Sequence, residues 1–387
     1  MSKGISERFC LRKGRRNFGI NPHDDPEFFF GRKEIHQEVM DRIRKDIALF
    51  VPIKLVVNGD YGTGKTHLLR HIEYVIGRDK LSVKAIYLDI GDISKKSMFS
   101  SLFRLIMRSI GSDEVLRLLV ALEDRSANLA ELWDSLDEIA GEQSGSKNIA
   151  RMMRNIITQK DNRDQFINMW RWFIGDQLSA AILNSFNVAE GLTELGDYIS
   201  VLMTIGRLYS KVDGNQLLIL VDEAEKLRQV TDQDALSNWT NALREIFDDD
   251  NHSVGFAFAL GAGSLDTGEV PVFEERAVRS RLSGRIISLE LLGRDDMEEF
   301  VKDLVKEFTR ASCVDKIVAD NKDTTKDTYP FTKNAWNEFV AYITEDPGLS
   351  KPRIAIKALN EYVAEAHLSG KQLIDADVIQ AAPRPTE

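Results

Sequence analysis

No run constrains this chain more than Gly59-Asp60-Tyr61-Gly62-Thr63-Gly64-Lys65-Thr66, which fits the pattern G-x-x-x-x-G-K-[ST]. The apolar residues Ile53 to Val57 precede it and read as a buried parallel strand. His67-Leu68-Leu69-Arg70-His71-Ile72 follows and reads as the opening of a helix. Strand, glycine-rich loop and helix come in the order a phosphate cradle needs. Glycines let successive backbone N–H groups turn toward one centre without a Cβ clash. The positive end of the helix dipole faces the same point. The pattern assigns Gly59, Gly62, Thr63, Gly64, Lys65, Thr66 and His67 to nucleotide binding. Lys65 is placed to reach the β- and γ-phosphates, and the Thr66 hydroxyl to coordinate Mg²⁺. The implied ligand is a nucleoside triphosphate, taken as ATP.

A second apolar run, Gln216 to Val221, ends in Asp222-Glu223-Ala224-Glu225. A hydrophobic strand ending in Asp-Glu suits a Mg²⁺-dependent hydrolase. Asp222 would hold the metal, and Glu223 would orient and polarise the attacking water. Alone, an acidic pair after a strand also fits a solvated helix start; the glycine-rich loop upstream favours the catalytic reading. Two carboxylates point to hydrolysis rather than transfer to a small molecule, which needs no water-orienting Glu. A small GTPase fits badly, since the base-reading Asn-Lys-x-Asp is missing.

At 387 residues the chain can hold one large α/β domain and a smaller one. Its apolar and charged fractions, 43% and 29%, are those of a folded globular protein. No apolar run is long enough to cross a bilayer, and the N-terminus has no apolar signal region, so no membrane partner is expected. Cys10 and Cys313 are remote in sequence with no metal-ligand spacing, which makes a reduced cytoplasm the simplest home. A net charge of −10 argues against coating nucleic acid with the whole surface, yet leaves room for a local basic patch. Residues 1–20 form a basic arm, with Lys3, Arg8, Arg12, Lys13, Arg15 and Arg16 against Glu7. It reads either as a contact for phosphates or as a solvated tail.

Asn21 to Pro26 is a turn-rich lead-in, followed by Phe28-Phe29-Phe30 and the helical pattern Ile35, Val39, Ile43, Ile47. The three phenylalanines fit core packing or one wall of an adenine pocket. Val83 to Ile90 is a further strand. The stretch from about residue 95 to 210 is helical in period and too long for an ordinary connection, so it reads as an insertion with a partial core of its own. Trp170, Trp172 and Phe173 within it are read as packing residues. Gly255 to Leu260 is another strand, running into Gly261-Ala262-Gly263-Ser264. Arg276, Arg279, Arg281 and Arg285 follow, then a short strand from Ile286 to Leu291. Residues 292–387 read as helical, with Ser350 capping a helix that begins at Pro352.

This order resembles the AAA+ ATPases, and within them the initiator-like clade, on Ser280-Arg281-Leu282 after the fourth strand and Pro352-Arg353 opening a lid helix. The resemblance implies an α/β P-loop fold with a parallel sheet flanked by helices, a core over 21–291 and a C-terminal helical lid. It implies an oligomeric ring or filament in which Arg281, or failing it Arg279, acts as a finger on a neighbour's γ-phosphate. Arg353 would be the lid sensor. The usual polar tip of the fourth strand is replaced, with Ser264 the nearest hydroxyl. The residues after the final helix leave no room for a winged-helix reader, so any contact with duplex DNA is expected from the ring, the insertion, the arm or a partner. The run Gly59 to Arg70, with Trp172-Phe173-Ile174-Gly175-Asp176 and the helices from Leu178 to Leu208, is similar to the ATP-binding domains of BREX phage-defence ATPases. That likeness implies a role in anti-phage defence beside partner proteins of such a system. A slowly hydrolysing scaffold that uses ATP to assemble partners is the other functional class the sequence allows.

Overall fold

Five apolar runs form one parallel sheet: β1 (Lys54–Gly59), β2 (Val83–Asp89), β3 (Gln216–Asp222), β4 (Val254–Gly261) and β5 (Ile286–Leu289), in the spatial order β2-β3-β4-β1-β5. The computed structural model describes residues 4–92, 94–142, 145–261, 270–346 and 348–383. β3 and β4 lie inside the sheet, and from Leu217 to Asp222 and Val254 to Leu260 every residue is buried, as a strand covered on both faces requires. β5, at one edge, alternates exposed and buried residues. The β2–β3 register runs from Val83 opposite Gln216 to Asp89 opposite Asp222, so both strands deliver a carboxylate to the same end of the sheet. This is the α/β fold, a parallel sheet flanked by helices, expected from the sequence.

The chain divides into two compact units. The first comprises Met40–Asn58 and Ile72–Ile287 and holds most of the sheet. Helices from Phe99–Ile110 to Leu195–Asp213 separate β2 from β3 in sequence, which matches the expected insertion. Their buried side chains, among them Phe103, Leu118, Met153 and Trp172, belong to the same hydrophobic cluster as β3 and β4. The insertion is therefore part of one core rather than a body with its own. Gly206, in the helix Leu195–Asp213, shows why: a Cβ there would stand 2.8 Å from the Ser253 carbonyl, so only glycine allows this close approach. Trp172 is buried as expected of a packing residue, its Nε1–H donating to the Glu190 carbonyl at 3.1 Å.

The second unit comprises Met1–Val39, Gly59–His71 and Ser288–Glu387. Its C-terminal helices include Arg294–Phe308, Ala311–Asp320, Lys333–Glu345 and Pro352–Leu368, packed around Leu304, Phe339, Leu359 and Tyr362. Residues 4–20 are not a solvated tail. Phe9, Cys10, Leu11 and Phe18 are buried in the same cluster, and Leu11 forms an antiparallel bridge with Thr309. Of the lead-in phenylalanines, Phe28 and Phe30 stack on each other at 5.5 Å and pack against Phe308 and Phe300. Phe29 turns instead to His71, 5.3 Å between rings. Lys351, not Ser350, is the N-cap of Pro352–Leu368; the Ser350 hydroxyl donates back to the Ile343 carbonyl.

Docking of the arm also changes the reading of the cysteines. Cys10 and Cys313, 303 residues apart, are joined by a disulfide, a pairing that sequence distance gave no reason to expect. Such a bond acts mainly by restricting the unfolded chain. Replacing both cysteines by serine is expected to lower the unfolding free energy by about 2–4 kcal/mol. Urea titrations of the oxidised parent and the double variant check this; coincident midpoints at equal slope would show that the bond adds nothing.

Candidate functional site

The cradle is built by the turn between β1 and the helix Lys65–Asp79. Gly62 and Gly64 adopt φ of 85° and 101°, a region open to glycine and strained for other residues. A Cβ on Gly59 would lie 2.8 Å from the Thr63 hydroxyl and 2.9 Å from the Leu289 carbonyl. Thr63 is buried and donates its hydroxyl to the Asp60 carbonyl at 2.8 Å, which ties the loop to itself. Lys65 folds over the same loop, its Nζ donating to the Gly59 and Asp60 carbonyls at 2.7 and 3.0 Å. Thr66 is the second residue of the helix, where the first N–H groups of the helix have no intrahelical acceptor. The loop therefore has the backbone shape and the charge that a triphosphate needs, and the residues present fit that group.

His67 sits one residue further, half-buried, its ring 6.1 Å from Phe29. Burial lowers its pKa, opposed by hydrogen bonds to the Phe28 and Asp25 backbone and by the Asp25 charge. The ring is thus favoured in its neutral form. His71, one helical turn on, bonds the Pro26 carbonyl at 2.7 Å and His36 Nδ1 at 2.8 Å. These contacts fix the lead-in segment against the start of the helix.

The lid arginine reaches the same loop. Arg353, in the first turn of Pro352–Leu368, donates from Nη1 to the Tyr61 hydroxyl and holds its guanidinium 4.9 Å from the centre of that ring. Both border a cavity of about 540 Å³, lined also by Gly62, Lys351, Ile354 and Lys357. Tyr61 occupies a variable position of the glycine-rich pattern, so sequence reasoning gave it no role. Its exposure, 76% for a large aromatic residue, is a signal that only the structure supplies.

The acidic pair belongs to the other unit. Asp222, at the end of β3, is buried to 3% exposure yet fully bonded. One oxygen accepts from the Tyr87 hydroxyl at 2.7 Å and the other from the Glu223 N–H at 2.9 Å. Tyr87 lies two residues before the end of β2, whose register with β3 brings the hydroxyl into reach. Glu223 leaves the strand with φ of 54° and opens the turn Ala224–Gln229. Its carboxylate pairs with Lys226, and Lys226 also approaches Asp89 at 3.5 Å. Hydrogen bonding to Glu223 is the main cause raising the Lys226 pKa.

The candidate finger is engaged within its own chain. Arg281 Nε donates to Asp248 at 2.7 Å and Nη2 to its second oxygen, a bidentate pair. Arg279 bonds Glu274 at 2.9 Å and is the more exposed of the two, 62% against 25%. Arg285 is structural, clamping the buried Asp46 through both oxygens at 2.8 and 2.7 Å. Ser264 falls in 262–269, outside the described residues.

No protein-family model matches the chain. No curated protein matches it either. Solved structures do. The Aeropyrum pernix ORC2 protein, in ADPNP–ADP complexes, is 14% identical over 96% of this chain and 71% of its own, with a TM-score of 0.50. Cdc6p of Pyrobaculum aerophilum is 12% identical over 89% of this chain, TM-score 0.48. This chain spans only 64% of the length of that protein. A Walker-type ATPase of Pyrococcus abyssi is 12% identical over 92% of this chain and 72% of its own, TM-score 0.44. At these identities the likeness concerns the fold.

Proposed function

We propose that the chain is a Mg²⁺-dependent ATPase that works as an oligomer in DNA transactions. The observation that carries the reading is the shared cavity of glycine-rich loop and lid arginine, where Arg353 rests on Tyr61. A cation placed there can exchange its aromatic partner for a γ-phosphate and carry the lid helix with it. In this reading Gly59, Gly62, Thr63, Gly64, Lys65, Thr66 and His67 hold the nucleotide. Asp222 and Thr66 hold Mg²⁺, which when bound neutralises phosphate charge. Glu223 positions water, and Arg281 serves a neighbouring subunit. The fold likeness to the Aeropyrum pernix ORC2 protein supports the initiator-like assignment. The BREX-like run supports an anti-phage setting, with duplex DNA and defence proteins as partners; the Cys10–Cys313 disulfide removes the ground for expecting a reduced cytoplasm. Among the described residues no helix is long and apolar enough to cross a membrane.

One observation favours the slower, scaffold-like alternative: the Glu223 carboxylate is ion-paired with Lys226, which competes with a water it would position. Steady-state turnover with and without duplex DNA separates the two, since a motor or switch is stimulated and a scaffold is not. The assignment as a whole is tested by Lys65→Ala, which removes the cation fixed over the loop. Loss of fluorescent ATP-analogue binding is expected, and retained affinity would contradict the cradle assignment.

A further inference from the structure

We infer that the docked N-terminal segment forms a second anion site, distinct from the glycine-rich loop, which takes the phosphates of a nucleic-acid backbone. Ser6, Glu7, the run 11–16 and Arg310 border an open cleft of about 580 Å³, with Arg12, Lys13, Arg15, Arg16 and Arg310 as its cations and Glu7 as its carboxylate. In a chain of net charge −10, so one-sided a lining is not what composition alone would scatter there.

The basic residues fall into two groups. Arg12 and Arg15 are spent on structure. Arg12 donates to the Thr309 carbonyl at 3.2 Å and pairs with Glu307 at 3.3 Å. Arg15 donates to Asp25 at 2.9 Å, and its guanidinium lies 3.6 Å over the Phe308 ring. Lys13, Arg16 and Arg310 are exposed and have no carboxylate partner among the described residues; the recorded contact of Arg310 is with Cys313 Sγ at 4.0 Å. The pegs decide where the unpaired cations point. A turn closed by Arg15 N–H to the Arg12 carbonyl, with Gly14 at φ 92°, presents Lys13 and Arg16 on a loop already held in shape. The backbone exchanges Arg12 N–H to Phe308 and Arg310 N–H to Cys10, together with the Cys10–Cys313 bond, fix that loop beside Arg310. With the backbone beneath these three cations already fixed, binding has only side-chain freedom to order, and each cation can displace a counterion from a phosphate.

The DNA-transaction reading above supplies only the choice of probe. The test uses the full oxidised chain without ATP, so its outcome is independent of hydrolysis. Binding of a labelled duplex is followed by anisotropy across a salt series for the parent, for Lys13→Ala/Arg16→Ala/Arg310→Ala, and for Lys13→Glu/Arg16→Glu/Arg310→Glu. Removing Phe9 and Leu11 with the arm would strip the core, so charges are changed and the segment is kept. Intact Cys10–Cys313 linkage in a non-reducing peptide map confirms that each variant keeps the arm docked. The alanine variant is expected to bind at least about tenfold more weakly, with the slope of log affinity against log salt reduced by roughly 2 to 3. The glutamate variant is expected to lose more, and turnover of ATP in the absence of DNA to stay unchanged in both. Equal affinity and slope in parent and alanine variant would overturn the proposal. So would parent binding to tripolyphosphate or to anionic vesicles but not to the duplex, since the site would then serve a small anion or a lipid surface.

Discussion

Glu223→Gln is expected to bind ATP as the parent chain does and to hydrolyse it at least about 10²-fold more slowly, the scale of general-base removal. The amide keeps the length and shape of the side chain but cannot take up a proton or polarise water. Geometry adds a second arm to the test. Glu223 is paired with Lys226, which also leans toward Asp89, so the ammonium competes with the water the carboxylate would position. If that pairing restrains turnover, Lys226→Met raises the rate, while Glu223→Gln/Lys226→Met stays as slow as Glu223→Gln alone. Single-turnover hydrolysis with separate measurement of nucleotide affinity checks both statements. A normal rate in Glu223→Gln would move the base assignment to another residue.

Arg281→Ala is expected to leave ATP affinity nearly intact and to slow hydrolysis by roughly 10³-fold, the lower end for loss of an arginine finger. Within the single chain Arg281 is bound by Asp248 through both carboxylate oxygens. An exposed pair of this kind is worth under about 1 kcal/mol, little beside transition-state stabilisation on a phosphoryl group. If Arg281 is the finger, assembly can break this pair at small cost. Mixing Arg281→Ala with Glu223→Gln is expected to restore part of the activity, because some mixed interfaces then join an intact arginine to an intact glutamate. Absence of recovery at every ratio, in a preparation shown to exchange subunits, would place the arginine outside a shared site. Recovery from Arg279→Ala but not from Arg281→Ala would make the more exposed arginine the finger.

Some parts of this protein were legible before any fold was seen. The run from Gly59 to Thr66 carries its own geometry, since Gly62 and Gly64 take the positive φ that the pattern implied. The apolar runs ending at Gly59 and Asp222 became strands of one sheet, and the helical stretch between β2 and β3 became an insertion. These features are set by short-range rules: side-chain period, glycine permissiveness and the exclusion of long apolar runs from water.

Other parts had no local signal. Nothing in the spacing of Cys10 and Cys313 marks them as partners; burial of Phe9, Leu11 and Phe18 against the C-terminal helices brings them together. The same docking turned a basic arm into structural pegs and a cationic cleft. Tyr61 acquired a partner only because Arg353, 292 positions away, starts its helix beside the loop. Lys226 could be seen three residues after Glu223, but its hold on that carboxylate depends on the left-handed turn taken by Glu223 itself. The sequence by itself determined the shape of the glycine-rich loop and the strands, because neighbours in the chain are enough to specify them. Tertiary structure decided which charges are paired and which are open, because an ion pair or a disulfide between distant residues depends on where packing of the apolar core leaves their backbones.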